Sequence, residues 1–87
     1  MLEALKFLRP ELKPLIVLYV AGCTGIDELR AKTGLSLPAL YKHLAVYQAL
    51  GLVARERRGR YKITGAGRKH VEQVLSQLRQ LADTVLQ

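Results

Sequence analysis

Val71, Val74, Leu78, Leu81 and Val85 recur in alternating steps of three and four, the spacing of a heptad seam along one long helix. Leu75, Ala82 and Leu86 widen the same face. A helix over residues 65–86 is roughly 30 Å long, comparable with the width of the small domain that an 87-residue chain can build. The far end of such a helix outruns its own chain, so association of two copies is the simplest way to bury the seam. Folding of the seam back onto the first helices is the alternative.

The residues ahead of this helix are cut into short elements by glycine and proline. Leu2, Leu5 and Leu8 fall at spacing three, which predicts a short amphipathic helix over residues 2–9, interrupted by Pro10. Leu5 and Leu8 then join the dimer interface. A second helix runs from about residue 11 to residue 21, with Pro14 tolerable in its first turn. Leu15, Ile16, Leu18, Tyr19 and Val20 make it apolar almost all round, hence buried, and Gly22 and Gly25 stop it. Lys13 ahead of this run, with Val20-Ala21-Gly22-Cys23 after it, loosely resembles a short secretion signal with a lipoprotein cleavage box. Cleavage there would strip a core helix from the rest of the domain, so a buried helix is expected. No stretch approaches the length of a membrane span, and no membrane partner is expected.

Asp27 is a good N-cap for a brief helix ending at Gly34, with Leu29 pointing inward. Ser36 can cap the next helix, Pro38 suits its first turn, and Gly51 stops it after Leu50. Leu40, Leu44 and Tyr47 form its inner stripe, while Tyr41, Lys42 and Gln48 fall elsewhere on its surface. Residues 52–56 and 60–63 read as two strands around Arg57-Arg58-Gly59. In the second, Tyr61 and Ile63 alternate with Arg60 and Lys62 as in a half-buried strand. Gly59 permits a left-handed turn residue, and Thr64 can cap the long terminal helix.

Charge is concentrated in one place. Residues 52–70 hold seven basic side chains (Arg55, Arg57, Arg58, Arg60, Lys62, Arg68 and Lys69) against Glu56 alone, and so carry +6 of the chain's +7. A basic patch on an otherwise near-neutral domain suits a polyanion, through phosphate neutralisation and counterion release. With 49% hydrophobic and 24% charged residues the chain is globular. A single cysteine excludes an internal disulfide and fits a reducing, cytoplasmic compartment. Cys23 reads as a small buried hydrophobe at a helix end; a thiol switch would lack a resolving partner. His70 reads as solvated, since no second ligand lies at a useful spacing, and neither a metal nor another cofactor is expected. No paired carboxylate, nucleophile–base pair or phosphate-cradling glycine loop points to an enzyme. Gly65 and Gly67 read instead as the junction between the hairpin and the last helix.

The order is thus helix, helix, tight turn, helix, basic hairpin, long helix. Along it come Ile26-Asp27-Glu28-Leu29, Thr33-Gly34-Leu35-Ser36, Tyr41-Lys42-His43-Leu44 and Leu50-Gly51-Leu52-Val53. Then comes Gly59-Arg60-Tyr61-Lys62-Ile63-Thr64-Gly65-Ala66-Gly67-Arg68. Over residues 13–70 the sequence resembles the winged helix-turn-helix regulators of bacteria and archaea, of the arsenic-sensor (ArsR) and multiple-antibiotic-resistance (MarR) types. The resemblance implies a mainly α fold with a small β-hairpin wing (α+β) and a long C-terminal dimerisation helix. Residues 1–87 then form one domain, with residues 11–64 as the DNA-binding core.

It further implies a homodimer on double-stranded DNA, one helix of each copy in the major groove. Carried onto this chain, Leu37, Ala39, Tyr41, Lys42 and His43 line the groove-reading surface. Ser36 caps that helix, where backbone N–H groups can hold a phosphate. Arg55, Arg57, Arg58, Arg60 and Lys62 form the wing, which reaches the minor groove or its flanking phosphates. Val71, Val74, Leu78, Leu81 and Val85 form the dimer interface. The chain departs from the family at Leu37 and Ala39, where several members place polar side chains; these two touch a thymine methyl but donate no hydrogen bond. Three functions remain open: a transcriptional regulator that represses by occluding a promoter, an architectural chromatin protein of low specificity, and a protein-interaction module of a larger complex. The sequence names no small-molecule effector.

Overall fold

A computed structural model describes residues 9–86, with side chains as far as Val85. Of the helix expected over residues 2–9, residues 2–8, with Leu5 and Leu8, lie outside the described residues, and Arg9 is not helical. A 3₁₀ turn at Pro10–Leu12 leads into α1 (Lys13–Ala21), then β1 (Cys23–Gly25), α2 (Ile26–Thr33), α3 (Leu37–Ala49), β2 (Val53–Arg57), β3 (Arg60–Ile63) and α4 (Gly65–Leu86). The three strands form an antiparallel sheet in the order β1-β3-β2.

The core takes in most of the inward-facing residues that the sequence periodicities single out and adds Val17, Val53 and Val71. It leaves out Val20, expected to be buried but 63% exposed. Leu15, Val17 and Leu18 of α1, Leu29 of α2, and Leu40, Leu44 and Tyr47 of α3 meet Val53, Tyr61 and Ile63 of the sheet and Val71 of α4. The apolar α1 is therefore the central helix. Tyr47 also closes the base of the domain: its hydroxyl donates to the Glu11 carbonyl oxygen, tying α3 to the turn ahead of α1. Burial, helped by the nearby Glu11 charge, pushes this phenol up to about 12. Below pH 10 Tyr47 is neutral in both folded and unfolded chains, so its contribution is intact. As pH rises through 10 the unfolded chain ionises first, and that contribution is lost by about pH 12. Tyr47→Phe is expected to lose about 1 kcal/mol at pH 7 with the hydrogen bond. Its urea midpoint should also fall less between pH 10 and pH 12 than that of the wild type; parallel curves would contradict this role for Tyr47.

Three boundaries differ from the sequence reading. The sheet has three strands where two are expected, because Cys23, Thr24 and Gly25 pair with Lys62, Tyr61 and Arg60. Asp27 is not the N-cap of α2. The helix starts at Ile26 directly from extended Gly25, and Asp27 lies in its first turn, where a negative charge complements the helix dipole. Cys23 is not a buried hydrophobe at a helix end but a half-buried strand residue whose thiol donates to Glu56 Oε2 at 2.8 Å.

Val71 is the fourth difference. Expected on the dimer seam, it is 1% exposed and belongs to the chain's own core, and Val74 is half-buried. The first turns of α4 lie tightly on Leu52, just ahead of β2, and on Ile63 of β3. Gly67 is buried, and a Cβ there would overlap the Leu52 carbonyl oxygen and approach Ile63 Cγ1 to 2.7 Å. Thr64 fixes the approach from both sides. Its hydroxyl accepts from the Gly67 amide at 3.0 Å as the N-cap of α4 and donates to the Gly51 carbonyl at 2.7 Å.

Candidate nucleic-acid interface

The α2–turn–α3 unit is built by local chemistry. Thr33 Oγ1 donates to the Leu29 carbonyl at 2.7 Å and accepts from the Leu35 amide at 3.3 Å, which folds the chain back as α2 ends. Gly34 takes a left-handed conformation (φ +72°) and its amide closes on the Arg30 carbonyl at 3.0 Å, a C-terminal stop that glycine reaches without Cβ strain. Ser36 then caps α3, its hydroxyl accepting from the Ala39 amide at 3.4 Å. Glu28 braces α2 from outside. It accepts from the Thr24 hydroxyl and pairs with Lys32 at 3.2 Å, and the Thr24 bond first, then Lys32, holds its carboxyl below the usual range.

The wing is anchored to this unit. The Ile26 amide, at the start of α2, donates to the carbonyl of the wing-turn residue Gly59 at 2.8 Å, and the Ile63 amide donates to the Gly22 carbonyl at 3.0 Å. A register irregularity between Arg55 and Arg57 bends β2 near its end. The basic tip and the helix-turn-helix are thus held as one surface.

Within that surface the nominated side chains are not equivalent. Tyr41, Lys42, Arg55, Arg57, Arg58 and Lys62 are exposed, as is the cap Ser36, and His43 is half-buried. Leu37 and Ala39, placed by the sequence on the groove-reading surface, are half-buried. The rotation that buries Leu40 and Leu44 carries these flanking side chains partly inward. Arg60 is also half-buried, its Nη2 donating to Cys23 Sγ at 3.6 Å. Glu56 sits in the same cluster; the Cys23 hydrogen bond first, then Lys62, Arg60 and Arg57, holds its carboxyl below the usual range. Arg57 and Arg58 are therefore the freer cations at the wing tip. Arg68, on the first turns of α4, stands 5.7 Å from the Tyr19 ring centroid, a cation–π contact between α4 and α1.

Ala45, Val46 and Ala49 were not singled out from the sequence. All three are exposed on the outer face of α3. The 100° step that identifies Leu40, Leu44 and Tyr47 as the inner stripe also places these residues on the other side of the helix.

Three helices around a central α1, a three-stranded sheet ending in a basic hairpin, and a helix-turn-helix locked to that hairpin define a winged helix-turn-helix domain. Its architecture is that of the MarR-type transcriptional regulators. The structure of NadR in complex with 4-hydroxyphenylacetate superposes with a TM-score of 0.78 at 20% identity, over 90% of this chain and 60% of that one. Ligand-free NadR gives 0.73 at 24% identity, over 95% and 70%. A MarR-family transcriptional regulator from Silicibacter pomeroyi gives 0.74 at 26% identity, over 98% and 61%. The chain thus spans about 60–70% of the length of these solved structures. No protein-family model and no curated protein sequence matches the chain.

Proposed function

We propose that the chain is a regulator of transcription that binds double-stranded DNA as a homodimer and represses by occluding a promoter. The observation that carries the proposal is the attachment of the cationic wing to the start of the helix-turn-helix, through the hydrogen bond from the Ile26 amide of α2 to the Gly59 carbonyl. In this reading α3 lies in the major groove, and Arg57 and Arg58 reach the neighbouring minor groove or its phosphates. Arg55 and Lys62 add charge on the strands behind them. The MarR-family neighbours support the regulator class. The α4 face beyond Val74 supports the homodimer, because Leu75 and Leu78 are each 45% exposed, Leu81 61% and Val85 74%.

Binding of the purified chain to random and genomic duplexes across a salt series tests this reading. Tight binding to a few genomic sites, at salt that strips random duplex, is the expected result. Equal and steeply salt-dependent binding to both would assign an architectural role, and no binding to either would remove DNA from the function. Arg58→Ala is expected to weaken binding to all sequences and to flatten the slope of log K against log salt by about 1 per protomer. Arg60→Ala should change that slope less, because its guanidinium is engaged with Cys23. Unchanged slopes for Arg57→Ala and Arg58→Ala would take the wing out of the interface.

A further inference from the structure

We propose that the chain reads sequence chiefly through the C5 methyl groups of thymine, contacted in the major groove by the apolar outer face of α3; this rests on the DNA-binding reading above. Opposite the buried stripe of Leu40, Leu44 and Tyr47, helical rotation sets Pro38, Lys42, Ala45 and Ala49, with Tyr41 and Val46 to either side. All six are exposed, Tyr41 at 48% and Val46 at 52%. The face that a recognition helix turns to the bases is thus mostly hydrocarbon, with one ammonium in its middle.

Hydrogen-bonded base readout draws mainly on arginine or lysine for guanine and on asparagine or glutamine for adenine. The outer face of α3 carries no arginine, and the whole chain has no asparagine. Lys42 is its one long cation. Gln48, the only amide side chain on α3, is one residue and hence about 100° of helical rotation from Ala49, on the rim of this face and not at its centre. An A·T pair offers this surface a methyl group in the major groove, whereas cytosine offers an amino group that needs an acceptor. Ala45 and Ala49 let the helix approach closely, and the Val46 methyls and the Tyr41 ring can cover thymine methyls.

Charge selects duplex DNA over an apolar protein partner as the occupant. Lys42 lies within the patch, and exposed Arg55, Arg57, Arg58 and Lys62 flank it on a wing locked to the same unit. Of the acids nearby, Glu56 is hydrogen-bonded to Cys23 and Glu28 is paired with Lys32. A polyanion whose groove floor carries methyl groups matches both the charge and the hydrocarbon.

The test compares an A·T-rich duplex of about thirty base pairs, long enough for two half-sites one turn apart, with the same duplex carrying deoxyuridine for thymidine. The two differ by the methyl groups. Burial of a methyl corresponds to about fourfold in affinity, so loss of one per protomer is expected to weaken binding about tenfold or more, with the salt slope unchanged. In a G·C-rich duplex, 5-methylcytosine should recover affinity over cytosine. Val46→Ala, an exposed change that leaves the core intact, should shrink the thymine-over-uracil ratio. Tight binding with equal affinity for the thymine and uracil duplexes would overturn methyl readout and leave the DNA-binding reading standing. A ratio unchanged in Val46→Ala would take the readout away from this face, and no binding to either duplex would sink both readings.

Discussion

Alanine at position 67 is expected to destabilise the domain by about 3 kcal/mol, the upper range for forcing atoms into a packed site. In an ordinary helix interior the same change would stabilise, since alanine exceeds glycine in helix propensity by about 1 kcal/mol. The sign is reversed here because α4 begins against the Leu52 backbone and Ile63 of β3. The added Cβ would overlap the Leu52 carbonyl oxygen, and Ile63 Cγ1 stands only 2.7 Å away. Backbone cannot move aside as a flexible side-chain end can. The Leu52 carbonyl also accepts from the Thr64 amide at 3.0 Å, so displacing it disturbs the cap of α4 as well. Two residues earlier, a Cβ on Gly65 would meet nothing within 4 Å, and Gly65→Ala is expected to be neutral or mildly stabilising. For a domain of this size the difference between the variants corresponds to roughly 10–25 °C in Tm, well within reach of thermal melts monitored by circular dichroism. Equal melting of the two variants would show that α4 does not pack closely on Leu52 and Ile63.

That packing also marks where the sequence stops being informative. The inner stripe of α3, the stop at Gly34, the cap at Ser36 and the turn at Gly59 are local. Each is set by residues a few positions apart, and each was legible from spacing and residue type. β1 was not, because three residues, the last of them Gly25, carry no periodicity, and only pairing with Lys62, Tyr61 and Arg60 makes them a strand. The tethering of Arg60 was hidden for the same reason, since its partner Cys23 is 37 positions away. Val71 shows a subtler limit. It shares the heptad spacing of the rest of α4, and spacing reports which face is apolar but not what covers it. Exposure along α3 was only partly legible. Leu37 and Ala39 are apolar and near the start of α3, and the rotation that fixes Leu40 as core leaves them half-buried while Ala45, Val46 and Ala49 are exposed.

On the proposed homodimer reading, Leu78→Glu is expected to convert the chain from dimer to monomer and to abolish tight DNA binding, with the helix-turn-helix core still folded. Gly67, Val71 and Val74 lie on the same stripe of α4 as Leu75, Leu78 and Val85, and the stripe runs without a break from the chain's own core into solvent. The molecule is 47 Å along its longest axis and 25 Å across the next, so α4 reaches past the body it packs against. Covering one leucine is worth about 1.5–3 kcal/mol, and in a two-fold interface every substitution acts twice. Leu78→Glu therefore removes two apolar contacts and places two carboxylates where they must be desolvated or repel, enough to shift the dimer Kd by three orders of magnitude or more. Because Leu78 lies beyond the residues buried in the chain's own core, the monomer should keep its thermal transition apart from fraying of the last turns of α4. Sedimentation equilibrium reads the mass directly. DNA binding should fall by about 10²–10⁴, the gain from linking two half-site contacts in one particle. A variant that stays dimeric would move the interface off this face of α4. A clean monomer that binds DNA as tightly as the wild type would mean that one winged helix suffices and that the apolar end of α4 serves another contact.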